Sequence, residues 1–238
     1  MKDVLVLDED QLQLDLFTFL LKQEGYDVHA TSQPEVVFDV LRSRAIELVV
    51  MDSALRRDDG ERIGRQIRQL NSQIPLMIVS ERDEEDQILR GLAYADDYIM
   101  KPFSPRQFLA RVHALIRRAG FSNRSETQDE NLSIGEIVLN PQRMQAVVSG
   151  RAVSLTPRGF SVLYALMDNP NRVLSRRQLM RLAWGEEFVG SSKAVDVCIL
   201  RLRKKIQPHL AGSLDIVAER GLGYRFVTPR SSVTAKAL

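Results

Sequence analysis

The 238-residue chain has a single cysteine, Cys198, so no disulfide can form within it. That excludes a disulfide-stapled scaffold and makes a cytoplasmic setting the simplest expectation. The chain also lacks any apolar run near the ~18 residues that would suggest a membrane span. Its opening, "MKDVLVLDED", places acids where a signal peptide would carry an unbroken apolar segment. There is no internal repeat and no low-complexity tract. Strong net charge is missing too: 33 basic side chains face 31 acidic ones, a formal balance of +2. That near-neutrality conceals an asymmetry. Residues 1–122 hold 16 basic and 21 acidic side chains, a balance of −5, while 123–238 hold 17 and 10, a balance of +7. An acidic front and a basic back imply two domains with different partners, the basic one a candidate for nucleic acid.

The front half alternates between two periods. Short apolar runs at "VLVL" (4–7), "YDVHA" (26–30), "ELVVM" (47–51), "PLMIVS" (75–80) and "DYIM" (97–100) read as strands. Between them lie helical patterns: "QLQLDLFTFLLKQEG", stopping at Gly25; Pro34 to Arg42; Gly60 to Leu70; "RDEEDQILRGLAY"; and Pro105 to Arg118. Strands alternating with helices five times over predict a doubly wound, five-stranded parallel sheet, an α/β fold. In such sheets ligands bind at the C-terminal strand ends.

Specific side chains fall at that edge. Asp8 and Glu9 follow the first strand, Asp52 the third, Ser80 ends the fourth and Lys101 follows the fifth. Converging carboxylates repel one another unless a cation sits among them, and a hard divalent ion with oxygen ligands, Mg²⁺, answers that need. Lys101 adds fixed positive charge and Ser80 a hydroxyl donor. Together they would hold a phosphoryl group formed on a carboxylate nucleophile. Any one of these residues alone would be an ordinary solvated strand end; five residues of compatible chemistry on four strands are not.

The polar stretch "GFSNRSETQDEN" reads as a linker, after which the pattern changes. "GEIVLN", "RMQAVVSG" and "RAVSL" read as short strands, helices follow near 157–168, 175–183 and 191–206, and "DIVAERGLGYRFV" reads as a hairpin turning at Gly221 and Gly223. In "SSKAVDVCILRLRKKI", Val195, Ile199, Leu202 and Ile206 recur on one helical face, with basic residues mainly on others. One buried face and one basic face is the footprint of a groove-reading helix.

The front motifs "VLVLDED", "LVVMD", "IVS" and "DDYIMKPFS" resemble the receiver domain of two-component response regulators, which is flavodoxin-like. The back motifs "LTPRGFSVLYALMDNPNRVLSRRQL", "LAWG", "AVDVCILRLRKKI" and "ERGLGYRF" resemble the α+β winged-helix domain of the OmpR/PhoB subfamily. The resemblance implies a receiver over 1–120, a linker over 121–132, a winged helix over 133–230 and a tail over 231–238. It implies that Asp52 is the phosphoacceptor, that Lys101 and Ser80 meet the phosphoryl group, and that Tyr98 is the switch aromatic. Mg²⁺ would be held by Asp8, Glu9, Asp52 and the Ala54 carbonyl, and the Lys101–Pro102 bond would be cis. The supporting helix would be "SRRQLMRLAW", with Ser175 as its N-cap. DNA contacts would come from Arg201 and Arg203 at bases or nearby phosphates, from Arg220 on the wing, and from Arg176, Arg177, Lys193, Lys204 and Arg225 at phosphates.

The dimer surface implied by the subfamily pairs Asp97 with Arg111 and Asp96 with Arg118, with Gln87 and Gln107 replacing a third charged pair. Implied partners are a sensor histidine kinase, promoter DNA, RNA polymerase and a second copy of the chain. The chain would accept a phosphoryl group without being a turnover enzyme. Several positions depart from the family pattern: Glu9 for Asp, Arg56 for Pro, Glu81 for a small residue, and Tyr94 for Gly. Polar groups common at 198 and 200 are replaced by Cys198 and Leu200. These departures leave open a receiver that controls DNA binding without phosphate, through a partner protein. A metal-dependent phosphohydrolase is a further rival, but the chain offers no cap domain for a substrate cleft.

Overall fold

The computed structural model describes residues 2–55, 59–81, 84–119, 131–185, 192–210 and 214–228, the side chains of 117–119 excepted. The chain divides into units Met1–Ala119 and Gly120–Leu238. The linker expected over 121–132 and the tail expected over 231–238 lie, apart from residues 131 and 132, outside the described residues.

In the first unit, strands β1 (Lys2–Leu7), β2 (Tyr26–Thr31), β3 (Ile46–Asp52), β4 (Leu76–Ser80) and β5 (Asp97–Met100) form one sheet in the order β2-β1-β3-β4-β5. Every pairing is parallel. Helices α1 (Gln11–Gln23), α2 (Pro34–Ser43), α3 (Asp59–Leu70), α4 (Glu85–Leu92) and α5 (Pro105–Ala119) make the connections. Near-continuous apolar strands are what a sheet covered on both faces requires. Val4, Val6, Leu48, Val50, Met77, Val79 and Ile99 pack with α1 and α5 through Leu14, Phe17, Leu21, Phe108, Val112 and Leu115. Strand residues of opposite parity, such as Leu5, Leu7, Val49, Met51 and Ile78, point to the other face and are equally buried. Helix α4 is shorter than its sequence pattern: Tyr94 and Ala95 leave the helix to reach β5.

The second unit opens with an antiparallel sheet, β6 (Leu132–Ile134), β7 (Ile137–Asn140), β8 (Gln145–Val148) and β9 (Arg151–Val153), in sequence order. Strand β6 was not legible in the sequence: three residues are too few for alternation to show. It starts inside the expected linker. Helices α6 (Pro157–Met167), α7 (Arg176–Trp184) and α8 (Lys193–Ile206) follow, then the hairpin β10 (Asp215–Glu219) and β11 (Gly223–Val227). Thr156 caps α6 on the Gly159 amide, with Pro157 in the first turn. Ser175 caps α7 in a reciprocal box with Gln178.

Leu174 and Tyr224 exchange both backbone hydrogen bonds, at 2.8 and 2.9 Å, and so fix the hairpin to the start of α7. Only glycine fits at Gly223, because a Cβ there would lie 2.1 Å from the Leu174 carbonyl oxygen and φ is +150°. The buried Arg158, 2% exposed, donates to the Ala183 carbonyl and lies 5.2 Å over the Trp184 ring, joining α6 to the end of α7.

Candidate functional site

Parallel pairing brings all strand C-termini of the first unit to one edge, and register aligns their last residues. Asp52 stands opposite Val79, and Ser80 opposite Met100. The Lys101 amide donates to the Ser80 carbonyl at 2.7 Å, and the Lys101–Pro102 bond is cis, as expected. Asp8, Asp52 and Ser80 are all buried. Lys101 Nζ lies 2.5 Å from Asp52 Oδ2 and 3.5 Å from Asp8 Oδ2. Asp52 Oδ1 accepts from the Ala54 amide at 2.5 Å. The Ser80 hydroxyl accepts from Ser53 at 2.6 Å, a partner that sequence reasoning missed because serine after an acid carries no pattern of its own.

The electrostatics follow from crowding. Asp8 is pushed above the usual carboxylate range, first by burial, with the Asp52 charge adding to it; the Asp10 amide and Lys101 pull the other way. Burial alone would lower Lys101, but its hydrogen bond to Asp52 and the two carboxylate charges outweigh it and raise the amine. Lys101 is a bound cation between two acids, and it does not satisfy them both. Asp8 Oδ1 takes the Asp10 amide at 2.9 Å, while Asp8 Oδ2 is buried with no hydrogen-bond partner. An all-oxygen donor set with an orphaned buried carboxylate oxygen fits a hard divalent cation such as Mg²⁺. Glu9 is half-buried, and the trio Asp8, Glu9 and Asp52 is not drawn within mutual ligand reach. Among the described residues such a cluster is formed by Asp3, Asp27 and His29, where Asp3 already holds His29 at 3.1 Å.

In the second unit the arginines separate into two groups. Arg203 donates through Nε (3.0 Å) and Nη2 to the Ile216 carbonyl, and its guanidinium lies 5.9 Å over the Tyr224 ring. Arg176 binds Asp196 at 2.7 Å and lies 5.2 Å over the same ring, while the Tyr224 hydroxyl donates to Asp196 at 2.6 Å. Burial raises the Tyr224 phenol, and its bond to Asp196 adds to the effect. Arg225 binds Glu219 across the hairpin at 2.6 Å. Arg203, expected at base edges or nearby phosphates, thus has two of its guanidinium nitrogens engaged by the hairpin backbone. Arg176 and Arg225 likewise carry protein partners. Lys193, Lys204, Arg177 and Arg220 are exposed, and Arg201 is half-buried.

Two family models match the chain: "Response regulator receiver domain" over residues 4–113 and "Transcriptional regulatory protein, C terminal" over 150–226. The sensory transduction protein RegX3 of Mycobacterium tuberculosis is 35% identical over 227 residues, covering 94% of this chain and 99% of the relative. The alkaline phosphatase synthesis transcriptional regulatory protein PhoP of Bacillus subtilis is 32% identical, covering 96% and 98%. The chain is a response regulator of the OmpR/PhoB subfamily. A solved structure of a RitR mutant shares the fold with a TM-score of 0.74 at 21% identity, covering 96% of this regulator and 100% of that chain. Like its relatives, the regulator joins a receiver to a DNA-binding domain and acts in transcriptional control within a two-component system. Among the described residues no helix of the regulator is long and apolar enough to cross a membrane.

The surface implied for receiver dimers looks different in the folded regulator. Asp96 and Asp97 are each 1% exposed. The pairing of Asp97 with Arg111 closes within one chain at 2.8 Å. Asp96 is enclosed by Arg68 of α3 and by the Leu76 amide at 2.9 Å. Its expected partner, the Arg118 side chain, lies outside the described residues. Gln107 serves its own helix: its Oε1 accepts from the Ser104 amide at 3.1 Å, and its amide donates to Ser104 Oγ at 3.2 Å, a capping box. Gln87 lines a polar cleft of about 230 Å³ with Ser53, Glu61, Arg90, Gly91, Tyr94 and Tyr98. Tyr98 is buried against Gly91. Arg68 went unnoticed in the sequence because an arginine on an amphipathic helix reads as solvated. Its Nε donates to the Tyr94 carbonyl at 2.6 Å. Of the four departures, Arg56 lies outside the described residues, and Tyr94 packs on the bare backbone of Gly64, where a Cβ would stand 2.2 Å from the ring.

Proposed function

We propose that Asp52 is the phosphoacceptor and that a sensor histidine kinase supplies the phosphoryl group. The Asp52 carboxylate attacks phosphorus, the phosphorus–nitrogen bond of the phosphohistidine breaks, and the imidazole leaves with a proton. Mg²⁺, held by Asp8, Glu9, Asp52 and the Ala54 carbonyl, would supply charge neutralisation at the phosphoryl oxygens. Lys101 then turns from its carboxylate partner to the new anion, and Ser80 donates to it in place of accepting from Ser53. Tyr98 follows Ser80, so the cleft it lines reports the change to the α4–β5–α5 surface. The observation that carries this reading is the buried Asp52–Lys101 contact at 2.5 Å beside an Asp8 oxygen that lacks a hydrogen-bond partner.

Phosphorylation favours homodimers through α4, β5 and α5, in the cytoplasm. Pairing of receivers sets two α8 helices on tandem half-sites of promoter DNA, where RNA polymerase is engaged. Because Asp96 is turned inward, this dimer draws less on charge steering than on apolar contact. Incubation with Mg²⁺ and acetyl phosphate, followed by intact mass measurement, gives a single phosphoryl adduct in the wild type and none in Asp52→Asn. An adduct that survives the substitution, or none in either protein, would overturn the assignment.

A further inference from the structure

The outward face of α8 is not centred on its arginines, which fall on opposite flanks of the helix. Ala194, Val195, Cys198, Ile199, Leu202 and Ile206 are buried and define the inward direction. At ~100° per residue, the side chains most nearly opposite are Lys193, Val197, Leu200 and Lys204, within ~40° of one line. Arg203 and Asp196 lie to one side, tied to the hairpin and to Arg176. The centre of the exposed line is therefore apolar. Leu200 is 54% exposed and Val197 half-buried, one turn apart, with a lysine at each end.

We propose that Leu200, assisted by Val197, reads thymine by contact with its C5-methyl group in the major groove. The inference rests on α8 being the helix that enters DNA. The lysines at either end match the two phosphate walls that border the groove, which selects a nucleic acid over an apolar protein partner. Within that groove the one apolar feature on any base edge is the thymine methyl. A leucine with no hydrogen-bonding atom gains nothing from guanine or adenine edges, yet its burial against a methyl removes apolar surface from water on both sides. Specificity at the helix centre then comes from shape and hydrophobicity, while Lys193 and Lys204 position the helix without reading sequence.

The test uses the full-length protein to enrich its preferred duplex from a random pool. Each thymine in the enriched site is then replaced in turn by deoxyuridine, which removes the methyl group and leaves every hydrogen-bonding atom in place. Wild-type affinity falls about fourfold at one or two thymines, the worth of roughly one buried methyl. Leu200→Ala, a change at a solvent-facing position, binds the thymine duplex about fourfold more weakly, as wild type binds the uracil form, and no longer distinguishes thymine from uracil there. Leu200→Arg shifts the preferred base at that position toward guanine, whose O6 and N7 accept from a guanidinium. Wild-type indifference to every uracil replacement, or unchanged discrimination in Leu200→Ala, overturns the proposal while leaving DNA binding intact. Failure to enrich any duplex would instead remove the groove-reading assignment of α8, and this inference with it.

Discussion

In the receiver, Asp8, Asp52 and Lys101 are buried together at the strand ends, and one carboxylate oxygen is left without a hydrogen bond. In the C-terminal unit, Arg158, Arg176, Arg203 and Arg225 are each matched to a carbonyl, a carboxylate or an aromatic face. The first arrangement is unsettled: the sheet gathers two carboxylates around one lysine and leaves one acid oxygen unmatched. The second is settled, its charges holding helices and hairpin to one another. Buried charge is costly unless paired, so the first arrangement fits the cation proposed above while the second holds the fold together. It also means that the same change, removal of a charge, has opposite consequences in the two units.

The largest effect falls on the settled side. Arg158→Ala leaves the Ala183 carbonyl without its donor and opens space beside Trp184, and costs about 3 kcal/mol of stability in urea denaturation. Next, Arg203→Ala releases the hairpin from α8 and costs about 2 kcal/mol, because the Ile216 carbonyl loses a charged donor. Its neighbour provides the contrast: Lys204→Ala, at an exposed position, changes stability by less than ~0.5 kcal/mol, while Arg201→Ala weakens specific DNA binding by about 1–3 kcal/mol if it reads a base. Equal stability losses at 203 and 204 would break the distinction between a side chain tied to the hairpin and one that faces solvent.

A smaller effect tests packing under the receiver's cleft. Gly64→Ala drives a methyl into the Tyr94 ring and costs about 1.5 kcal/mol, and most of that loss disappears in a Tyr94→Gly background. The smallest effect has the opposite sign. The folded receiver raises Asp8 above its unfolded value, so this group contributes stability that is fully present below the unfolded pKa and lost as pH rises through the folded one. Asp8→Asn therefore makes the receiver more stable than wild type at neutral pH, with the gap narrowing as pH falls. The same variant binds Mg²⁺ more weakly in a calorimetric titration. A variant less stable than wild type at neutral pH would show that Asp8 is settled after all.

The receiver was the more legible unit because its site follows from topology. Once "VLVL", "ELVVM", "PLMIVS" and "DYIM" are parallel strands, Asp8, Asp52, Ser80 and Lys101 have nowhere to stand but one edge. Sequence could not say how far Glu9 reaches, since one methylene of reach has no pattern. In the C-terminal unit, helix periodicity separated the core face of α8 correctly, but residue type alone could not place the arginines. Arg203 and Arg201 look alike in "LRLRKK", and what distinguishes them is a carbonyl on β10, 13 residues further along the chain. The burial of Asp96 was illegible for a similar reason. Its partner Arg68 comes from α3, on the far side of a strand crossover, where no local spacing could announce it.

The double backbone bridge between Leu174 and Tyr224, with Arg176, Asp196, Tyr224 and Arg203 gathered beside it, joins the start of α7, helix α8 and the hairpin in one polar knot. A reading head bolted together in this way has little give. The expected consequence is that adjustment on docking falls to the double helix, so that stretches which flex easily gain affinity at base pairs no side chain touches. Stiffening those untouched base pairs is then expected to weaken binding although every protein contact is kept, which affinities on duplexes of equal contacted sequence would measure.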